Sequence, residues 1–170
     1  MELVDFMQTA LQGSQRALKR STDTLTDAET AKRVGPEANS IGLIIFHAAR
    51  SEDTFIQATI QHKPTVWETE KWHDKLSIPA ADTGAGYTME QVAAFKSPKL
   101  SDLLAFSDAV RAKTIEYVKG LTPARCDEKV TWGRMGEFTI GALVALVANH
   151  ASQHVGEISY IRGLQRGANK

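Results

Sequence analysis

All five prolines of this 170-residue chain (Pro36, Pro64, Pro79, Pro98 and Pro123) fall between or at the edges of four stretches whose apolar residues recur every three or four positions. Proline lacks a backbone donor and clashes with the preceding helical turn, so these positions bound helices and leave the stretches between them free to run long. The first stretch extends from Glu2 to about Thr22, with Leu3, Phe6, Met7, Ala10, Leu11, Ala17 and Leu18 on one face. The second opens at the cap residues Asn39-Ser40 and carries Ile41, Leu43, Ile44, Ile45, Ala48 and Phe55 toward Ile60. The third starts near Ser97-Pro98 and directs Leu100, Leu103, Ser107, Val110, Thr114, Tyr117 and Leu121 inward. Its end at Gly120, before Leu121 and Pro123, reads as a left-handed cap with a stop beyond it. The fourth begins at Thr139 and continues through Ile140, Leu143, Val144, Val147, Ala151, Ile158 and Ile161 to about Gly163.

The remainder is connection. Thr88-Met89-Glu90-Gln91 is a capping box that opens a short helix to about Lys96, and Lys129-Val130-Thr131-Trp132 reads as one short extended piece. Pro64 to Gly86 is a long link with Trp67 and Trp72 in it and a turn or two of helix. The expected fold is therefore all-α: a four-helix bundle with one long crossover, as a single domain over residues 1–170.

Composition narrows the function. Lys plus Arg and Asp plus Glu are 20 each, so the chain lacks the basic excess of a nucleic-acid binder. No apolar run is long enough for a membrane helix, and no basic start followed by an apolar core marks a signal peptide. Cys126 is the single cysteine, which excludes an internal disulfide. A soluble cytoplasmic protein acting on a small molecule is the expectation.

Three of the five histidines stand in telling places. His150 and His154, four apart, project from the same side of the fourth helix, and the apolar stripe turns that side inward. His47 lies on or near the apolar face of the second helix, three after Ile44. Facing each other across a bundle core, these imidazoles can complete a three-nitrogen site for a divalent ion such as zinc, nickel or iron. An open fourth position would hold a water, whose pKa falls toward about 7, or a thiol as thiolate. The bland alternative is three hydrogen-bonded core histidines, each needing its own partner. Glu52 and Glu157 could orient an imidazole or move a proton, though the ordinary expectation for both, and for Asp53, is a solvated helix charge. His62 reads as a helix-end residue, His73 as surface packing and Cys126 as incidental. The Glu after the first histidine that helical zinc proteases use is missing from His-Ala-Ser-Gln-His, and a carboxylate-bridged di-iron pattern is absent too.

Asn39-Ser40-Ile41-Gly42-Leu43-Ile44-Ile45-Phe46-His47 with Glu52-Asp53, and the run Thr139 to Leu164 with its His-x-x-x-His pair, resemble the second and fourth helices of the DinB/YfiT-like superfamily. The resemblance covers nearly the whole chain, crossover included. It implies a divalent metal held by His47, His150 and His154, and transferases or isomerases that use a low-molecular-weight thiol such as bacillithiol, mycothiol or glutathione. It also implies a homodimer. Many members carry Arg and Gln shortly after the second histidine, where this chain has Val155 and Glu157, which removes a contact for an anionic co-substrate. Two functions follow as expectations. One is a metal-dependent thiol S-transferase, isomerase or small hydrolase, its pocket walled by helix ends and the aromatic segment from Trp67 to Tyr87. The other is a non-enzymatic, stress-related or scaffold bundle in which a metal only pins helices or is absent.

Overall fold

A computed structural model describes residues 2–167. Four long helices make the bundle: α1 (Leu3–Thr22), α3 (Ile41–Asp53), α7 (Leu100–Lys119) and α9 (Ile140–Arg166), with α2 (Asp27–Ala31) between the first two. The crossover holds three short helices, α4 (Val66–Thr69), α5 (Trp72–Leu76) and α6 (Met89–Ala94). A last short helix, α8 (Pro123–Asp127), leads into an antiparallel hairpin of β1 (Lys129–Thr131) and β2 (Glu137–Thr139), with Val130 opposite Phe138. The expected extended piece is thus one arm of a hairpin.

Helix directions follow from which ends meet. Arg111 reaches Ser14 while Lys19 pairs with Asp108, so α7 runs against α1. Ser21 bonds Ser159 while Leu11 packs in one cluster with Leu143 and Val147, so α9 runs along α1. Gly42 lies against Ser97 and Leu103 while Glu52 meets Arg111, so α3 and α7 are parallel. The order is up-down-down-up, with α1 and α3 on one diagonal and α7 and α9 on the other. Parallel neighbours cannot be joined by a tight turn, because the chain must return along the bundle's length; this is why residues 61–99 are spent between them.

Local signals set most helix starts. Ser40 and Thr139 accept from the amides of Leu43 and Ala142, both at 3.2 Å, and Thr88 with Gln91 forms the expected box. The start of α7 departs from expectation. Ser97-Pro98 does not cap it; the Leu100 amide instead donates to Asp27 of α2 at 2.8 Å, a partner supplied from far along the chain. Gly120 is not left-handed, with φ at −92°, and α9 runs on through Gly163 to Arg166. The second stretch does reach Ile60, but Thr54–Ile60 is π-helical. Thr54 Oγ1 donates to the Arg50 carbonyl at 2.9 Å, and the Gln57 carbonyl is taken by the Lys63 amide, so the ladder widens rather than stops. On α1, Leu3 and Phe6 are exposed, because the helix begins beyond the edge of the bundle core; Leu11, Ser14, Leu18 and Thr22 face inward.

Arg166 closes the far end of α9 onto α2. Its Nε and a terminal nitrogen donate to Glu29 Oε1 and Oε2 at 2.6 and 2.7 Å, and Thr26 adds capping bonds. These partners, Arg166 first, hold the Glu29 carboxyl well below the ordinary carboxylate range. A folded pKa below the unfolded one gives a contribution fully present above the unfolded value and lost as pH falls through and below it. Glu29→Gln is therefore expected to shallow the loss of stability between about pH 5 and pH 2. Urea midpoints at pH 7 and pH 3 check this: the drop should be larger for the wild type than for the variant.

Candidate metal centre

The phase of two helices builds the cluster. On α3, His47 follows Phe46, which is fully buried, so its ring leaves the helix beside the core and toward α9. On α9, the apolar phase of Val147 and Ile158 brings His150 and His154 to the same side. The ring centroids lie 5.3 Å apart for His47 and His150, 5.1 Å for His47 and His154, and 4.3 Å for the α9 pair. One nitrogen from each ring falls within 4.8 Å of the other two, and no fourth His, Cys, Asp or Glu joins them among the described residues.

The residues fit a divalent ion. The Nε2 atoms of His150 and His154 are 3.1 Å apart, close to the roughly 3.3 Å expected of two nitrogens sharing a tetrahedral zinc-like ion. Nδ1 of His154 is 2.8 Å from Glu157 Oε2, which holds the proton on that nitrogen and leaves Nε2 with its lone pair. Nδ1 of His47 is buried and makes no hydrogen bond of ordinary geometry, although the Thr83 backbone lies close enough to the ring to favour its charged form. Burial and the neighbouring histidines push the pKa of His47 down and that of His150 down to about 4. Both rings are neutral near pH 7, the form that ligates.

The two carboxylates considered in sequence part company. Glu157 stands at the triad, half exposed. Glu52 is turned away and is no solvated charge: it is buried, and Arg111 grips it through Nε at 2.8 Å and a terminal nitrogen at 2.7 Å. Arg111 also donates to Ser14 Oγ and the Leu11 carbonyl. Asp53, fully buried, is likewise no surface charge; it accepts from the amides of Val66 and Trp67 at 2.9 and 2.8 Å and so caps α4. The Arg111 guanidinium replaces the solvation that Glu52 gives up, whereas the two amides offset only part of the burial of Asp53, whose carboxyl pKa stays raised.

The crossover covers the triad within the expected segment from Trp67 to Tyr87, but through its last residues rather than its tryptophans. Trp67 is a core residue with no exposed surface and Trp72 packs on Phe106, so neither walls the site. The cover is Gly84–Tyr87. Gly84 has φ of +68°, and a Cβ there would lie 3.0 Å from Phe46 Cδ1 and 3.3 Å from His47 Cα, so only glycine lets the loop come down this closely. Between this loop, the start of α3 and α9 runs a groove of about 320 Å³ that reaches His47 and His154. His73 lies apart, against Trp67 and Asp74; Cys126 is buried, and that burial raises its thiol pKa. The features missed in sequence are Arg111 and the close seat of Gly84 on Phe46 and His47. Arg111 had a signal: it sits four after Ser107 and three before Thr114, on the inward stripe itself.

No curated protein matches the chain. Among solved structures, a conserved protein from Enterococcus faecalis superposes with a TM-score of 0.85 at 20% identity, over 96% of this chain and 97% of that one. YfiT from Bacillus subtilis, described as a probable metal-dependent hydrolase with an unusual four-helix bundle topology, superposes at 0.58 with 16% identity, over 94% and 89%. No helix of the described residues is long and apolar enough to cross a membrane. The DinB superfamily model matches residues 10–158. With that match over most of its length and the up-down-down-up bundle it folds into, the chain belongs to the DinB superfamily.

Proposed function

We propose that His47, His150 and His154 hold one divalent ion, zinc, nickel or iron, and that the chain is an enzyme that hydrolyses a small molecule admitted by the groove. The observation that carries this reading is the cluster of three nitrogens at an accessible groove with no fourth protein ligand among the described residues. A structural site is normally closed by four protein ligands, whereas a catalytic one keeps a position free. An ion there would lower the pKa of a coordinated water and polarise a substrate carbonyl or phosphoryl oxygen. Glu157 fixes the tautomer of His154 and, being half exposed, can exchange a proton with solvent. The loop Gly84–Tyr87 narrows the approach to His47. Glu52 has no part in this, since both its oxygens are held by Arg111. Hydrolysis is placed ahead of thiol transfer because YfiT, which shares the fold, is described as a probable metal-dependent hydrolase.

Elemental mass spectrometry tests the site. The wild type is expected to carry about one divalent ion per chain, and the His47→Ala/His150→Ala/His154→Ala variant none. Absence of metal from the wild type after anaerobic loading with zinc, nickel and iron would overturn the proposal and leave three core histidines.

A further inference from the structure

The groove that reaches His47 and His154 has a one-sided chemistry. Its lining is mixed: Leu43, Ile44, Met89 and Val92 give the apolar part, and the exposed carboxylates of Glu37 and Glu157 stand with the Asn39 amide at the rim. Among the described residues no lysine or arginine lines it. Arg33, in the same segment as Glu37, does not line the groove either and gives its Nε–H to the Ala38 carbonyl. Arg50 is buried behind the loop, on Asp53 and the Asp82 carbonyl. The Tyr87 hydroxyl is already spent as a donor to Asp82. Glu37 is exposed and has no ion-pair partner among the described residues, and Glu157 meets only the imidazole of His154.

Two carboxylates are acceptors only, and an ammonium is a donor only, with three hydrogens to place. A cleft with charge of one sign and low-dielectric walls concentrates its field on whatever enters. At the rim, an outer carboxylate on a ligand would meet the like charge of Glu37 and Glu157 with no lysine or arginine beside them among the described residues, while the ion at the triad is met by the ligand's other end. An alkyl stretch between the two ends is matched by the apolar part of the lining. We infer that the groove takes a small molecule with a cationic end group, an alkylammonium, joined through a short apolar stretch to the group that meets the histidines. This rests on the metal-dependent reading of the triad and adds a substrate class to it. It also disfavours thiols whose outer end is anionic.

Three thiols with the same two-methylene spacer test it without turnover: 2-aminoethanethiol, 2-mercaptoethanol and 3-mercaptopropionate. Each would bind cobalt(II)-loaded protein as thiolate, releasing its proton to buffer, and the sulfur-to-cobalt absorption band reads its Kd. The thiols differ in intrinsic acidity, so the quantity compared is the ratio of the 3-mercaptopropionate Kd to the 2-aminoethanethiol Kd, in wild type and variants. Glu37→Gln, which touches no histidine, is expected to lower that ratio about threefold, and Glu37→Gln/Glu157→Gln about tenfold, with 2-mercaptoethanol nearly unmoved. The glutamine in place of Glu157 can still accept from His154 Nδ1, and cobalt content is measured for each variant. A protein that takes up no cobalt overturns the metal reading and the substrate class with it. Cobalt uptake with a ratio unchanged in both variants overturns the substrate class alone, as does cobalt uptake with no sulfur band from any of the three thiols.

Discussion

Replacing Arg111 with methionine is expected to lower the free energy of unfolding by about 3–5 kcal/mol, a large share of what holds a domain of this size. The side chain is 7% exposed and makes two charge-assisted bonds to Glu52, one to Ser14 and one to the Leu11 carbonyl, tying α7 to α3 and α1 at once. Methionine fills the space of the stem but leaves Glu52, itself 7% exposed, as an uncompensated buried charge. The penalty comes from that orphan rather than from any net worth of the pair, so a second substitution should remove it. Glu52→Met/Arg111→Met is expected to recover most of the loss, because two apolar side chains need no desolvation. Denaturant unfolding at pH 7 of both single variants and the double variant gives the cycle. Single losses below about 1 kcal/mol, or a double variant as unstable as the sum, would contradict this account.

What the sequence made legible, and what it did not, divides along the range of the interactions. The four helices and the triad were readable because each depends on phase within one helix: His150 and His154 share a side by spacing alone, and His47 follows a fully buried Phe46. The caps Ser40, Thr88 and Thr139 are equally local. Glu52 and Asp53 were read as solvated because an acidic doublet ordinarily is. Their burial depends on partners 59 and 13 or 14 residues away, which no periodicity announces. The same holds for Asp27, whose carboxylate caps α7 from 73 residues upstream and moves the helix start past Ser97-Pro98. Which part of the expected Trp67–Tyr87 cover comes down on the site was hidden for another reason. Gly84 looks like any loop glycine until Phe46 and the His47 backbone are seen beneath it.

The crossover is where a single side chain matters most, and Trp67→Ala is expected to cost about 3–5 kcal/mol. Trp67 has no exposed surface, and its ring stands 5.4 Å from Phe46 and 5.2 Å from Phe106, measured between centroids. The Arg50 guanidinium lies over it at 4.9 Å, and its Nε1 donates to the Ala80 carbonyl at 2.8 Å. Truncation therefore empties the space between α3, α7 and the crossover and frees the Ala80 carbonyl. The effect should travel along a short physical path. Arg50 holds the Asp82 carbonyl, the Asp82 carboxylate holds the Gly84 amide and the Tyr87 hydroxyl, and Gly84 rests on Phe46 and His47. Loosening the ring should thus loosen the loop over the triad before it loosens α1 or α9. Hydrogen exchange distinguishes that from a uniform loss: amides of Gly84–Tyr87 should open faster by a larger factor than those of the long helices. Trp67→Phe, which keeps most of the packing and gives up the Nε1 bond, is expected to lose only about 1–2 kcal/mol. If Trp67→Ala unfolds within about 1 kcal/mol of the wild type, or opens all amides alike, the crossover is not held through this residue, and the close seat of Gly84 on His47 must be maintained by the loop's own bonds to Asp82.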